Sequence, residues 1–156
     1  MSIEKARAWL EKFHMEDRIQ EFSDSSATVE LAARCLNVEP ARIAKSLSFK
    51  VSDAAILVIA AGDVKVDNSK FKAQFHTKAK MLQHDEVEPL IGHGVGGVCP
   101  FGVNEGVSVY LDVSLKRFQT VFPAVGTASS AVEMSPEELE LVAQPVEWVD
   151  VCKAAE

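Results

Sequence analysis

Arg42-Ile43-Ala44-Lys45-Ser46-Leu47-Ser48-Phe49-Lys50-Val51 reads as a buried β-strand with one residue out of place. An ammonium group among Ile43, Ala44, Leu47 and Phe49 is costly unless it has a partner or a task. Alternation with period two sets Lys45 on the face of Ile43, Leu47 and Phe49 and turns Ser46, Ser48 and Lys50 the other way. Two readings follow. Lys45 either snorkels along an apolar surface to water or emerges at the wall of a pocket.

Outward from this strand, Asp53 marks a turn, and the unbroken apolar run 54–61 reads as a fully buried strand. The connection is tight enough to make the two a hairpin. Toward the N-terminus, Ile3, Ala6, Trp9, Leu10 and Phe13 recur at helical spacing behind Ser2 as a cap. Residues 17–22 read as a short strand, and 28–36 as a helix that stops at Asn37. Toward the C-terminus, residues 64–67 are extended, and 69–75 form a helix capped by Asp67 or Asn68. Residues 78–82 read as a short strand and 85–91 as an acid-led helix. Strands are expected at 107–111, 120–125, 130–134 and 145–151, with a helical turn at 115–118. Ser135-Pro136-Glu137-Glu138 is a helix start, with a capping serine, proline at the first position and glutamate at the third. Short strands outnumber helices and do not alternate with them, which predicts an α+β fold with a mixed, largely antiparallel and curled sheet.

A length of 156 residues fits one domain over 1–156, and 47% hydrophobic with 25% charged residues excludes a disordered chain. Cys35, Cys99 and Cys152 are odd in number and widely spaced, so neither a disulfide framework nor a zinc pattern is expected. A reducing cytoplasm is the expected location. His14, His76, His84 and His93 stand apart without metal-ligand spacing, so no metal and no cofactor are expected. The N-terminus is charged at once, and no apolar run approaches the roughly 20 residues that cross a bilayer, so no membrane partner is expected. The net charge of −7 at first sight speaks against nucleic acid, and no DNA partner is expected. The charge is uneven, however: residues 41–80 hold eight basic side chains against three acidic ones. A local basic face of this kind, including Lys70 and Lys72, can meet an RNA phosphate backbone or be a solvated surface.

The second feature is the loop Gly92-His93-Gly94-Val95-Gly96-Gly97-Val98-Cys99-Pro100-Phe101-Gly102. Gly92, Gly94 and Gly97 match the dinucleotide-binding spacing, but an acidic helical segment precedes them, and Pro100 and Gly102 would break the helix that should follow. The loop can instead aim backbone N–H groups at an anion or a developing oxyanion, or simply cross tightly over a neighbouring strand. Within it, His93 reads as a loop histidine in solvent and Cys99 as a small buried thiol.

The strand 43–49, the run 56–63, the loop 96–102 and the helix start 135–139, in that order, resemble the YbaK/ProX family, relatives of the editing domain of bacterial prolyl-tRNA synthetases. The resemblance runs from about residue 19 to 149. It implies a barrel-like mixed sheet flanked by helices and an aminoacyl-tRNA deacylase acting in trans on a mischarged tRNA, tRNA-Pro carrying alanine or cysteine. It places the family lysine on Lys45 and the family loop on Gly96, Gly97 and Pro100. Substrate contacts are then expected from Ser46, Pro100, Phe101, Gly102, Gly126 and Ser129, and tRNA contacts from Lys70 and Lys72. The partners implied are an aminoacyl-tRNA and a synthetase. Where the cysteine-removing branch has a basic Gly-x-Arg-Gly turn, this chain has Gly126-Thr127-Ala128-Ser129-Ser130-Ala131, which fits alanine or another small amino acid as well as cysteine. The alternative is a non-catalytic tRNA- or synthetase-binding module of the same fold.

Overall fold

The hairpin is the spine of the molecule. In the computed structural model, which describes residues 2–155, β2 (Ile43–Val51) pairs antiparallel with β3 (Ala54–Ala61) from Ala44↔Ala61 to Val51↔Ala54. The turn places Ser52 in left-handed backbone at φ 55°. β3 is apolar on both faces because both are covered, and Leu57 to Ala61 have no exposed surface.

Before the hairpin come α1 (Ser2–Glu11), a 3-10 turn at Glu16–Arg18, β1 (Gln20–Glu21), α2 (Val29–Leu36) and a second 3-10 turn at Pro40–Arg42. After it come β4 (Val64–Val66), α3 (Asn68–Phe75), α4 (His84–Ile91), β5 (Ser108–Asp112), a 3-10 turn at Val113–Arg117, β6 (Phe122–Pro123), β7 (Ser130–Ala131), α5 (Pro136–Ala143), β8 (Glu147–Val149) and β9 (Cys152–Ala154).

The central sheet has the order β6-β2-β3-β5-β8. Its long hairpin is antiparallel, whereas β6 on β2, β5 on β3 and β8 on β5 are parallel and short. Two small antiparallel sheets, β1-β7 and β4-β9, extend this into a curled, mixed α+β architecture. Phe49 of the sheet stacks on Phe71 of α3, Phe71 on Phe75, and Phe75 edge-on against Tyr110, with ring centroids 4.8, 4.7 and 5.0 Å apart. Asp112 is buried at the end of β5, where its carboxylate accepts from Ser114 N–H (2.9 Å) and Val151 N–H (3.0 Å). The first bond caps the 3-10 turn that follows, and the second ties the C-terminal segment to the sheet.

Several expected elements differ. The expected cap Ser2 is itself the first helical residue, and its side chain lies outside the described residues. The first part of 17–22 is a 3-10 turn, and only Gln20–Glu21 pair. Residues 78–82 form no regular strand. They reach β2 through one bridge, Phe49↔Met81, and the bonds Lys50 N–H to Lys80 O (2.9 Å) and Leu82 N–H to Ser48 O (3.1 Å). The stretches 120–125 and 130–134 touch through Val121↔Met134 but hold only two strand residues each, because β6 is drawn onto β2 and β7 onto β1. Helix starts agree better. Asp67 caps α3, and Ser135 with Glu138 closes a reciprocal box on α5, whereas α2 is capped by Thr28, expected as its first residue behind Ser25 or Ser26.

Candidate active site

β6 accompanies β2 only at Ile43 and Ala44, and the 80–82 segment rejoins it at Ser48–Lys50. Between them the edge of β2 at 45–47 has no strand neighbour among the described residues. A cavity of about 320 Å³ opens along this gap. Lys45 and Ser46 form one wall, the start of α2 with Ser26 and Thr28 another, and Gly96 and Val98 of the glycine loop a third. Ser48 and Lys50 direct backbone bonds to the 80–82 side, so by alternation Ser46 directs its amide and carbonyl into the gap.

Lys45 shares its face with Leu47 and Phe49, as period two requires, and is half-buried. Its Nζ donates to the Val64 carbonyl oxygen. Burial holds the Lys45 pKa below the usual lysine value, partly offset by the fields of Cys152, Asp63 and Glu30. The Asp63 carboxylate is itself gripped by Arg117 at 2.6 and 3.0 Å. The expectation that Ser46 and Ser48 turn away from the pocket is corrected. Both line it, because the cavity follows the strand's edge and is reached from either face. The Oγ atoms of Ser46 and Ser26 are buried and have no hydrogen-bond partner among the described residues.

The glycine loop leaves α4 through Gly92 at φ 104° and lies flat on the 126–128 turn. A Cβ on Gly97 would stand 2.5 Å from the Gly126 carbonyl and the Thr127 nitrogen, so only glycine fits this crossing. Gly97 N–H is occupied by Gly94 O at 3.0 Å, whereas Gly96, at φ 93°, lines the cavity with Val95 and Val98.

Other expected site residues stand elsewhere. Pro100 borders a different cavity beside Trp9. Phe101 is fully buried in the core, and Gly102, at φ 75°, packs under the backbone of Lys5. This segment is therefore the loop's anchor and not its wall. Gly126 is the floor beneath Gly97, and Ser129 accepts a bond from Phe22 N–H (2.8 Å), while its neighbour Ser130 reaches the cavity. Lys70 bonds Asp150 and the Cys152 carbonyl at 3.1 and 2.9 Å, and Lys72 lies on a separate shallow surface with Lys78. Neither lines the cavity.

His93 is corrected from solvent to interior: it has no exposed surface. Its Nε2–H donates to Phe101 O at 2.6 Å, and burial lowers its pKa. Cys99 is equally buried, and its thiol is pushed up to about 12, so it is no thiolate near neutrality. Among the described residues no cluster of three or more His, Cys, Asp or Glu side chains could hold a metal. Ser26 and Ser130 escaped sequence reasoning. Each comes to the gap through a contact distant in sequence, and a serine before a helix signals a cap and nothing more.

Comparison with known proteins places this arrangement. YwhH, an uncharacterized protein of Bacillus subtilis (strain 168), is 51% identical over 154 residues, spanning 98% of each chain. Proline–tRNA ligase of the same organism is 33% identical over 90 residues, covering 57% of this chain but only 16% of the ligase. A crystal structure of a candidate trans-editing enzyme for prolyl-tRNA synthetase superposes with a TM-score of 0.88 at 27% identity, over 98% of both chains. The family model of the aminoacyl-tRNA editing domain matches residues 23–141, and the chain belongs to that family.

Proposed function

We propose that the chain, as one domain over 1–156, is a cytoplasmic hydrolase that cleaves the ester of a mischarged aminoacyl-tRNA. The observation that carries this reading is the unpaired edge of β2 at Lys45-Ser46 facing the Gly96 loop across one small cavity. An aminoacyl ester is already activated, so its hydrolysis needs placement more than a strong nucleophile. Water adds to the carbonyl carbon, the bond from that carbon to the ribose oxygen breaks, and the ribose oxygen takes the proton. The products are the free amino acid and uncharged tRNA.

Gly96 N–H is the candidate donor to the tetrahedral oxyanion. Lys45, with one N–H on Val64 O, keeps two donors to hold the ester or the terminal phosphate, as an anchor and not a base. Ser46 would bind substrate through its edge backbone and hydroxyl. Small residues at Ala27, Ala32, Ala44 and Ala131 suit a small amino acid such as alanine or cysteine. The similarity to proline–tRNA ligases supports tRNA-Pro as the acceptor, with Lys70 and Lys72 as outlying tRNA contacts.

The test is deacylation of a panel of mischarged tRNAs by wild type and Lys45→Ala. Wild type should hydrolyse small amino acids from tRNA-Pro, and Lys45→Ala should lose about 100-fold or more in rate. Full activity in Lys45→Ala overturns the role of Lys45. One observation favours a second reading, a tRNA-binding module without hydrolysis: the Lys45 ammonium already has a carbonyl partner. Charged tRNA held with its ester intact would support that reading.

A further inference from the structure

His93 is a buried titratable side chain for which the hydrolysis described above has no use. It sits at the start of the glycine loop, and its one short bond reaches across eight residues to the carbonyl at the loop's end. We propose that His93 is a positioning residue for the reaction, a clasp that closes the 93–101 loop and holds Gly96 at the cavity wall. This rests on the hydrolase reading above.

The geometry is specific. A carbonyl oxygen only accepts, so Nε2 carries the proton and Nδ1 is left as a bare lone pair. Among the described residues the buried Nδ1 has no hydrogen-bond partner, which fits the unprotonated state, since a proton there would find no acceptor. Cys99 joins the same knot, with Sγ 3.6 Å from Nε2 and 3.9 Å from Phe101 O. Both ends of the loop are fixed. Lys5 Nζ donates to Gly92 O at 3.0 Å, Asn104 N–H donates to Ile91 O at 2.8 Å, and the Phe101 ring is in the core. The tip has its own bond, Gly97 N–H to Gly94 O, and no slack against Gly126. A loop so closed presents Gly96 in one place; with the clasp open, the tip can lift from Gly126 and carry the amide away.

Glutamine and asparagine separate this role from mere space-filling. The amide nitrogen of glutamine reaches as far as Nε2, whereas that of asparagine reaches only as far as Nδ1. His93→Asn and His93→Ala should lower kcat about 10- to 100-fold, the cost of a misplacement near 1 Å. KM for the charged tRNA should move less than about twofold, because the lost interaction is made in the transition state. His93→Gln should recover most of the rate. Hydrogen exchange at the amides of residues 96–98 should speed up in the Asn and Ala variants and stay slow in Gln. Equal losses in Gln and Asn overturn the clasp, as does unchanged exchange in all three, or a rate that only tracks the folded fraction seen by circular dichroism. If wild type deacylates no tRNA, the hydrolase reading fails, and the exchange comparison still decides whether His93 holds the loop.

Discussion

The cavity wall and the loop's anchor share a defect and differ in what it means. Ser26 Oγ and Ser46 Oγ at the cavity, and His93 Nδ1 in the interior, are buried without partners. A hydroxyl beside an open cavity can rotate toward an arriving group, so its deficit is relieved by binding. Nothing can reach His93 Nδ1, and the deficit there instead keeps the imidazole neutral and its other nitrogen a donor. An unpaired polar atom next to space marks recognition; the same atom enclosed by packing marks architecture. Variants on the architectural side should therefore lose stability and activity together, whereas variants at the cavity should lose activity alone.

The largest effect is expected on the architectural side, at Gly97. A methyl group there would stand 2.5 Å from the Gly126 carbonyl and Thr127 nitrogen, both backbone atoms that cannot step aside. Gly97→Ala should cost about 1–3 kcal/mol, at the upper end for a backbone clash, and abolish deacylation because the loop must lift. Urea unfolding and the tRNA panel check both. A variant with wild-type stability would show that the 126–128 turn is free to move, and the contrast with the cavity would lose its rigid member.

His93→Leu comes next. Removing the donor leaves the Phe101 carbonyl with only a weak thiol contact at 3.9 Å, which should cost about 1–3 kcal/mol at neutral pH. Acid should change the His93→Leu deficit. Burial sets the folded pKa of His93 below its ordinary 6.5, and the groups facing it are the Cys99 thiol and, through its field, the Lys5 ammonium. Below pH 6.5 the unfolded chain takes up a proton that the folded imidazole refuses, so wild-type stability falls with acid until the depressed folded pKa is passed. His93→Leu lacks this loss, and its deficit should shrink as pH drops from 7.5 toward 5.5. Urea midpoints that run parallel for the two proteins across this range would show that His93 titrates as if exposed.

How much of this was legible depended on the range of the interactions. The β2–β3 hairpin was readable because alternation around Lys45 and the apolar run after Asp53 are local patterns. The box at Ser135 and Glu138 was readable for the same reason. The parallel partners β5 and β8 return to the sheet after long excursions, and nothing in their own residues declares the direction. β9, a three-residue strand at Cys152–Ala154, is too short to show a period. Alternation grouped Lys45 correctly with Leu47 and Phe49, yet it misplaced the serines, because a face argument does not foresee a cavity along an edge. The burial of His93 was hidden too. A histidine between glycines resembles a solvent loop until the loop is seen folded over its own side chain.

The smallest effects on stability belong to the cavity, and they carry the comparison. Ser46→Ala and Ser26→Ala remove hydroxyls that bond to nothing in the free protein. Deleting an unpaired buried polar atom takes away a desolvation cost, so each variant should be as stable as wild type or more stable, within about 0.5 kcal/mol. Activity should move the other way. If the hydroxyls turn to the substrate, each deletion should raise KM or lower kcat/KM by about 5- to 10-fold, the worth of one neutral hydrogen bond. The two losses need not add, since both side chains border one cavity and can share one substrate group. A serine variant that loses stability without losing activity would mean its hydroxyl is held within the fold, and the line between recognition and architecture would then run on the other side of that residue.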